Sequence, residues 1–405
     1  MAVQRATTLQ KEAERYRDAS VRFMRDLVSI PSESSHEAKV AERIVKEMKD
    51  LGYDKAWTDD YGNVIGQIGN GPIRVVFDAH IDTVGVGSRS SWSYDPFEGK
   101  VEDGHIYGRG ASDNHNGTVP QVYGAKLFKD LGGDTGKITL FVVGTVQEED
   151  CDGLALRYAL EKSIGNVHYI CLGEATDLKV YRGHRGRMEI RVSARGKSCH
   201  GSAPERGDNA IYRMMRLVSD IEKLNERLQN DPFLGKGTCA VTHISCDTPS
   251  LCAVPDGCYI HIDRRLTHGE TKELAVAQIK ELPGFDADRM QVEILRYDTP
   301  SYKGMVLETE KYYPTWVLPE DHNLVQSGVL AAEEALGRKP EISKWIFSTN
   351  GVSSMGQLGI PTIGFGPAME EDAHSTNDRI KIDDMVKAIA FYAALPKAII
   401  KLCGS

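Results

Sequence analysis

Short apolar runs that stop abruptly at acidic or imidazole side chains constrain this chain more than any other feature. Val75–Ala79 runs into His80 and Asp82, Leu140–Val146 into Glu148 and Glu149, and Tyr169–Leu172 into Glu174. The strand and loop Thr362–Pro367 lead towards His374. Runs this short and apolar read as buried strands, and helical patterns near 116–131 and 152–162 fall between them. Strands alternating with helices specify an α/β domain with a central, largely parallel sheet. Open sheets of this kind bind ligands at the carboxyl ends of their strands, where these polar residues lie.

The flanking segments extend the pattern. Leu9, Ala13, Tyr16, Phe23 and Leu27 give a helical spacing over 8–28 that stops before Pro31, and a second helix over about 36–51 ends at Gly52. Strands at about 62–68 and 73–78 are joined by Gly69-Asn70-Gly71-Pro72, which predicts a hairpin. The character changes near 186. Strand 187–195, helix 208–229, strands 238–246 and 257–265, helix 270–281 and strand 290–297 follow in turn. That β-α-β-β-α-β order is ferredoxin-like and closes on itself within about 110 residues. Helices at 322–336 and 381–401 and a strand at 361–366 resume the first pattern. We therefore expect a discontinuous catalytic, metal-binding domain (1–184 and 300–405) carrying an inserted domain (185–299).

Composition excludes several function classes. The 405 residues are 41% hydrophobic and 26% charged, which is ordinary globular usage and argues against disorder. A net charge of −9 disfavours nucleic-acid or anionic-membrane surfaces and suits a small polar substrate. No run approaches the ~18 apolar residues of a membrane span. Met1–Arg25 is dense in charge and lacks an apolar signal core. The eight cysteines include no Cys-x-x-Cys pair and read as free thiols, so a cytoplasmic location is expected.

Each polar site has an ordinary structural explanation as well as a chemical one. His80 is followed two residues on by Asp82, and an imidazole that binds a metal commonly has a carboxylate on its other nitrogen. Gly108 and Gly110 allow a tight path into Asp113, although a plain turn looks the same. Glu148 and Glu149 repel each other, a repulsion that a divalent cation would neutralise; a solvated helix start is the alternative. Together with Glu174 and His374 they form the nitrogen and oxygen donor set that zinc prefers and that manganese or cobalt can share. His200, within Gly196–Pro204, reads from the residues alone as a structural turn. Gly85-Val86-Gly87 follows a strand but has Ser90 at the third glycine position and no acidic partner, so it does not make a dinucleotide site.

Taken in order, Asp78–Thr83, Gly108–Asp113, Glu148–Glu149, Gly173–Thr176, His200 and His374 resemble the family of acetylornithine deacetylase, succinyl-diaminopimelate desuccinylase, aminoacylase and bacterial glutamate carboxypeptidase. Val146–Gly153, His200–Ala210 and Phe347–Val352 are similar, more narrowly, to the selenium-metabolism-linked hydrolase branch. The resemblance spans essentially the whole chain. It implies a zinc-peptidase-like domain with a central mixed sheet and an inserted ferredoxin-like dimerisation domain. It also implies two zinc ions per chain, with cobalt or manganese as substitutes. His80, Asp113 and Glu174 would hold one ion and Asp113, Glu149 and His374 the other. Asp82 would orient His80, and Glu148 would be the general base. His200 would reach the partner subunit's active site in a homodimer, and Arg265 would grip a substrate carboxylate, with the adjacent Arg264 leaving that position open by one residue.

The substrate side departs from the better-known relatives. Cys252 replaces an Asn, and Asn114-His115-Asn116-Gly117 replaces a segment with Lys and paired glycines. His115 is then either a contact near the centre or a solvent-facing helix start. Thr349-Asn350-Gly351-Val352 stands where several deacylases carry Thr-Asp-x-Arg, and Asn350 and Gly351 are expected to touch substrate. The implied activity is hydrolysis of an amide-type C–N bond in a short peptide or an N-acyl or N-carbamoyl amino acid. The alternative is a non-catalytic metal- or peptide-binding scaffold of the same fold.

Overall fold

A computed structural model of the chain describes residues 7–404; the first six residues of the charged N-terminal stretch lie outside them. A short helix over Thr8–Ala13 and a 3-10 turn over Glu14–Tyr16 interrupt the helix expected at 8–28 and lead into α1 (Arg17–Val28) and α2 (Ala38–Asp50); α2 buries Val40, Ala41, Ile44 and Met48, the stripe expected of one helical face. The main sheet begins with β1 (Lys55–Thr58), β2 (Val64–Ile68) and β3 (Ile73–His80). Helix α3 (His115–Asp130), β4 (Ile138–Thr145), β5 (Tyr169–Leu172) and β6 (Val180–Tyr181) follow. Then come β7 (Gly186–Arg195), α4 (Ala210–Arg227), β8 (Thr238–Asp247), β9 (Gly257–Leu266), α5 (Lys272–Lys280) and β10 (Met290–Ile294). The chain ends with α6 (Asn323–Leu336), β11 (Ile342–Ser343), β12 (Thr362–Gly364) and α7 (Ile382–Cys403).

The main sheet has the order β1-β2-β4-β3-β5-β12-β6-β11. β4, β3, β5 and β12 are mutually parallel and buried at its centre, whereas β1 and β2 run antiparallel at one edge. The sheet is therefore mixed. α7 packs across one face, where Phe391 stacks on Phe365 with ring centroids 3.6 Å apart. Leu156, Leu160, Trp316 and Trp345 cover the other face.

Gly69-Asn70-Gly71-Pro72 does not close the expected hairpin, because β4 lies between β2 and β3. A Cβ on Gly71 would sit 2.1 Å from the Lys137 carbonyl carbon, and one on Gly69 2.4 Å from the Ile138 oxygen. These glycines let the chain cross closely over the start of β4, a demand that reads in sequence just like a tight turn. The hairpin partner of β2 is the short β1, through a turn in which Asp59 Oδ1 accepts from the amides of Tyr61, Gly62 and Asn63.

β7 to β10 form a second sheet of order β8-β9-β7-β10, antiparallel throughout, with α4 and α5 in the β-α-β-β-α-β sequence. Met188, Ile190, Val192, Met214, Leu217, Ile260 and Ile262 make a core separate from that of the main sheet. Tyr312–Tyr313 adds to β7, so this sheet draws strand pairing from beyond residue 299. Among the described residues, no helix is long and apolar enough to cross a membrane.

Candidate metal centre

Three adjacent parallel strands deliver acidic and imidazole groups to one place. His80 closes β3, Glu148 and Glu149 follow β4, and Glu174 lies two residues past β5. His80 Nε2 is 2.9 Å from Asp113 Oδ1 and 3.8 Å from both Glu148 Oε2 and Glu174 Oε1. His374 Nε2 is 3.2 Å from Asp113 Oδ2 and 3.0 Å from Glu149 Oε2. Asp113 thus stands between two imidazoles. His374 and Gln147, just before Glu148, adopt left-handed backbone (φ 55° and 56°), a conformation costly outside glycine and concentrated at functional sites.

Charge here is poorly balanced by the protein alone. Among the described residues, the ion-pair partners of Asp113, Glu148, Glu149 and Glu174 are only these two imidazoles. Burial pushes Glu148 well above the usual carboxylate range, against the pull of His80 and with repulsion from Asp152, Glu174 and Glu149. Burial raises Glu174 in the same way. Burial would raise Asp113 too, but hydrogen bonds from His374 and His80 prevail and hold it low. The same contacts with Asp113 and Glu149 raise His374 to about 10. Donor atoms of His80, Asp113 and Glu149 lie within 4.8 Å of one another. Nitrogen and carboxylate donors this close, with uncompensated negative charge, fit divalent cations of the zinc, cobalt or manganese type.

Asp82 stands on His80 Nδ1, as expected of a residue that orients the ring, and has a second task. The acceptor nearest His80 Nδ1 is the Asp82 main-chain carbonyl at 2.9 Å, with the carboxylate at 3.5 Å. That carboxylate also receives the amides of Glu148 and Glu149, each at 3.1 Å, and the Ser34 hydroxyl at 2.7 Å. It fixes the loop carrying the two glutamates.

The cavity holds ≈ 340 Å³, and its wall includes His80, Asp113, Glu148, Glu149, Glu174 and His374 together with Asp152, Arg187, Arg265 and Phe347. Alternation along β9 turns Arg265 into this cavity and Arg264 to the opposite face, where it pairs with buried Glu270. Asn350 and Gly351 are not in the wall, contrary to expectation. Asn350 is buried, giving Nδ2 to Asp78 and Thr145, both at 2.9 Å, and accepting from the Gly153 amide at 2.7 Å. Gly351 packs under Trp316, where a Cβ would come within 2.4 Å of the indole. His115 is buried rather than solvent-facing, and neither ring nitrogen has a polar partner among the described residues.

His200 is exposed and lies outside this cavity, in a groove of ≈ 720 Å³ shared with Cys252 and Tyr212. Its Nδ1 accepts from the Ser202 amide at 3.1 Å, which leaves the proton of the neutral ring on Nε2. The sequence reading missed Asp378, a buried carboxylate that binds the Arg109–Ser112 loop just ahead of Asp113. An Asp in a polar stretch four residues after a candidate ligand carries no distinguishing local signal.

A sheet that gathers imidazoles and carboxylates at its strand ends, beside a ferredoxin-like insertion, defines a metallohydrolase of the peptidase and deacylase class. The model of peptidase family M20/M25/M40 matches residues 76–398, and the chain belongs to that family. It is 50% identical over 386 residues to YgeY of Escherichia coli (strain K12), covering 95% of this chain and 96% of that protein. It is 23% identical over 400 residues to a probable succinyl-diaminopimelate desuccinylase of Staphylococcus epidermidis (strain ATCC 12228 / FDA PCI 1200), covering 93% and 97%. The Bacillus subtilis YXEP protein, a dinuclear metal binding peptidase, matches in structure with a TM-score of 0.69 at 16% identity, over 96% of this chain and 99% of that one. The chain is accordingly an enzyme, a hydrolase acting on amide bonds.

Proposed function

We propose that this enzyme hydrolyses an amide-type C–N bond in a short peptide or an N-acyl or N-carbamoyl amino acid, working in the cytoplasm as a homodimer with two zinc ions per chain. The observation that carries the reading is the position of Glu148, buried in the cavity wall 3.8 Å from His80 Nε2 and free of any Lys or Arg partner among the described residues. His80, Asp113 and Glu174 would hold one ion and Asp113, Glu149 and His374 the other. Divalent ions held there would supply Lewis-acid polarisation of the scissile carbonyl and lower the pKa of a water towards neutrality. Glu148, as a carboxylate, would accept a proton from the attacking water and deliver it to the leaving nitrogen.

The other residues orient and stabilise. Asp82 holds the amides of Glu148 and Glu149, so the base and its neighbour keep distinct directions. Arg265 aligns the substrate carboxylate through a charge-assisted hydrogen bond. The segment 185–299 supplies the dimer contact, and His200 presents its Nε2–H to the partner's cavity, where it steadies the negative charge on the carbonyl oxygen.

The test is a mass-spectrometric screen of the metal-loaded protein against pooled dipeptides and N-acyl and N-carbamoyl amino acids, alongside Glu148→Ala. Turnover of some member by the wild type, lost in the variant while both metals stay bound, is the expected result. Undiminished activity in Glu148→Ala removes the proposed base.

A further inference from the structure

Three successive backbone amides after β4 are each held by a buried carboxyl group from another part of the chain. Asp82 takes those of Glu148 and Glu149, and Glu37 Oε1 takes that of Gln147 at 3.0 Å. The same Glu37 oxygen accepts the Ser35 amide at 3.0 Å. Ser35 and Gln147 are both left-handed, at φ 68° and 56°, so one acceptor serves two residues in a conformation that side chains disfavour. The Gln147 side chain is fastened as well. Its Nε2 donates to Ser35 Oγ at 2.6 Å and to the Pro300 carbonyl at 3.0 Å, and its Oε1 accepts from the Tyr61 hydroxyl. Glu37 and Tyr61 are fully buried, and neither belongs to the wall of the catalytic cavity. Glu37 Oε2 has no hydrogen-bond partner among the described residues. A carboxyl group buried this way is costly, so packing gives no reason for it. The amides it holds do.

We propose, on the basis of the amidohydrolase reading above, that Glu37 and Tyr61 are positioning residues that clamp Gln147 in its left-handed turn and so aim the Glu148 carboxylate. A residue that leaves the left-handed region for an ordinary backbone conformation redirects the side chain that follows it. Gln147 is kept from doing so at both ends, by Glu37 on its backbone amide and by Tyr61, Ser35 and Pro300 on its side chain. Glu148 then faces His80 while Glu149 faces His374, although the two are neighbours in sequence. Glu37 and Tyr61 act through Gln147 and stand away from the reacting atoms.

Glu37→Met keeps the volume and removes the acceptor, and Tyr61→Phe removes only the hydroxyl. The full-length, metal-loaded variants are compared with the wild type by hydrogen exchange across Gln147–Glu149 and by metal content. Kinetics are taken on the member of the dipeptide and N-acyl pool that the wild type turns over fastest. Exchange at this segment should quicken in both variants while thermal melts show them folded. In Glu37→Met, kcat should fall about 10–100-fold, the scale of a misplaced catalytic group, with KM and metal content kept. Tyr61→Phe should lose about two- to tenfold in the same way, the margin of one uncharged hydrogen bond. Glu37→Gln still offers one oxygen to both amides and should recover most of the rate. Unchanged exchange or kcat in Glu37→Met, or in Tyr61→Phe where Glu37→Met does not fold, would overturn the inference. So would a Glu37→Gln no faster than Glu37→Met, or a loss of metal that accounts for the lost rate. Quickened exchange in the variants of a wild type that hydrolyses no amide removes only the amidohydrolase reading and leaves the clamp on Gln147 standing.

Discussion

Asp378 accepts both donors of Ser112, with the backbone amide and the hydroxyl each 2.7 Å from Oδ1. Its other oxygen takes the Gly110 amide at 2.8 Å and Arg109 Nη1 at 2.9 Å. One fully buried carboxylate, four residues past His374, therefore sets the loop that ends at Asp113. Two candidate ligands 261 positions apart in number are held in register by this contact.

Asp378→Asn should damage the centre without removing a ligand. The amide presents one acceptor oxygen instead of two and leaves Arg109 buried without a counter-charge, a loss of about 3–5 kcal/mol for a buried pair. Groups that orient ligands typically contribute about 10–100-fold in metal affinity. Denaturant unfolding and a metal titration would show both effects, and unchanged metal affinity would mean that the loop is set by something else.

Removing the metals should expose the charge imbalance. Glu148 and Glu174 are both raised by burial, so in stripped protein their protonated forms are the ones favoured by folding. For a raised carboxyl the stability is fully present below its unfolded value of about 4.3 and is lost as pH climbs. Chelated protein should thus melt at lower temperature as pH rises from about 5 to about 8, while loaded protein gains about 4 kcal/mol at a thousandfold excess of metal over its dissociation constant. Parallel melting curves with and without metal across that range would contradict the assignment.

The ends of β3, β4 and β5 were legible because an apolar run followed by His or Glu is a local pattern. The role of the Asp82 carboxylate, the bracing of Asp78 by Asn350 and the grip of Asp378 on Ser112 were not, since each joins residues far apart in number. Position 264 was ambiguous for a different reason. Period-two alternation along β9 assigns Arg264 to the core face with Cys258, Ile260 and Ile262, where a charged residue is unexpected until Glu270 is seen beside it. The false hairpin at Gly69–Pro72 has the same origin: glycines answered to a neighbouring backbone that local sequence does not reveal.

Sharing of His200 between subunits predicts complementation. His200→Ala chains retain Glu148 and the ligand set, and Glu148→Ala chains retain His200. A mixed dimer therefore contains one complete site if the histidine crosses over, and recovers up to about half of a wild-type dimer's rate. With each variant inactive as a homodimer, absence of recovery in mixed dimers verified by mass would place His200 in its own chain's chemistry.

His184 offers a pH dependence away from the metal centre. Its Nδ1 donates to the Arg185 carbonyl at 2.8 Å, while Nε2 accepts from Trp316 Nε1–H at 2.7 Å and from the Thr349 amide at 3.1 Å. These donors fix a neutral ring, and burial pushes it down to about 4 from an ordinary 6.5. Between those values the unfolded chain takes up a proton that the folded one refuses. Stability is therefore fully present above about pH 6.5 and declines as pH falls towards about 4, by on the order of 3 kcal/mol in all. His184→Gln should be less stable at neutral pH, because the Trp316 and Thr349 donors lose their shared acceptor, yet should lose less on acidification than the wild type does. Urea midpoints taken from about pH 7 to about pH 4 compare the two slopes, and identical slopes would assign the acid sensitivity to another group.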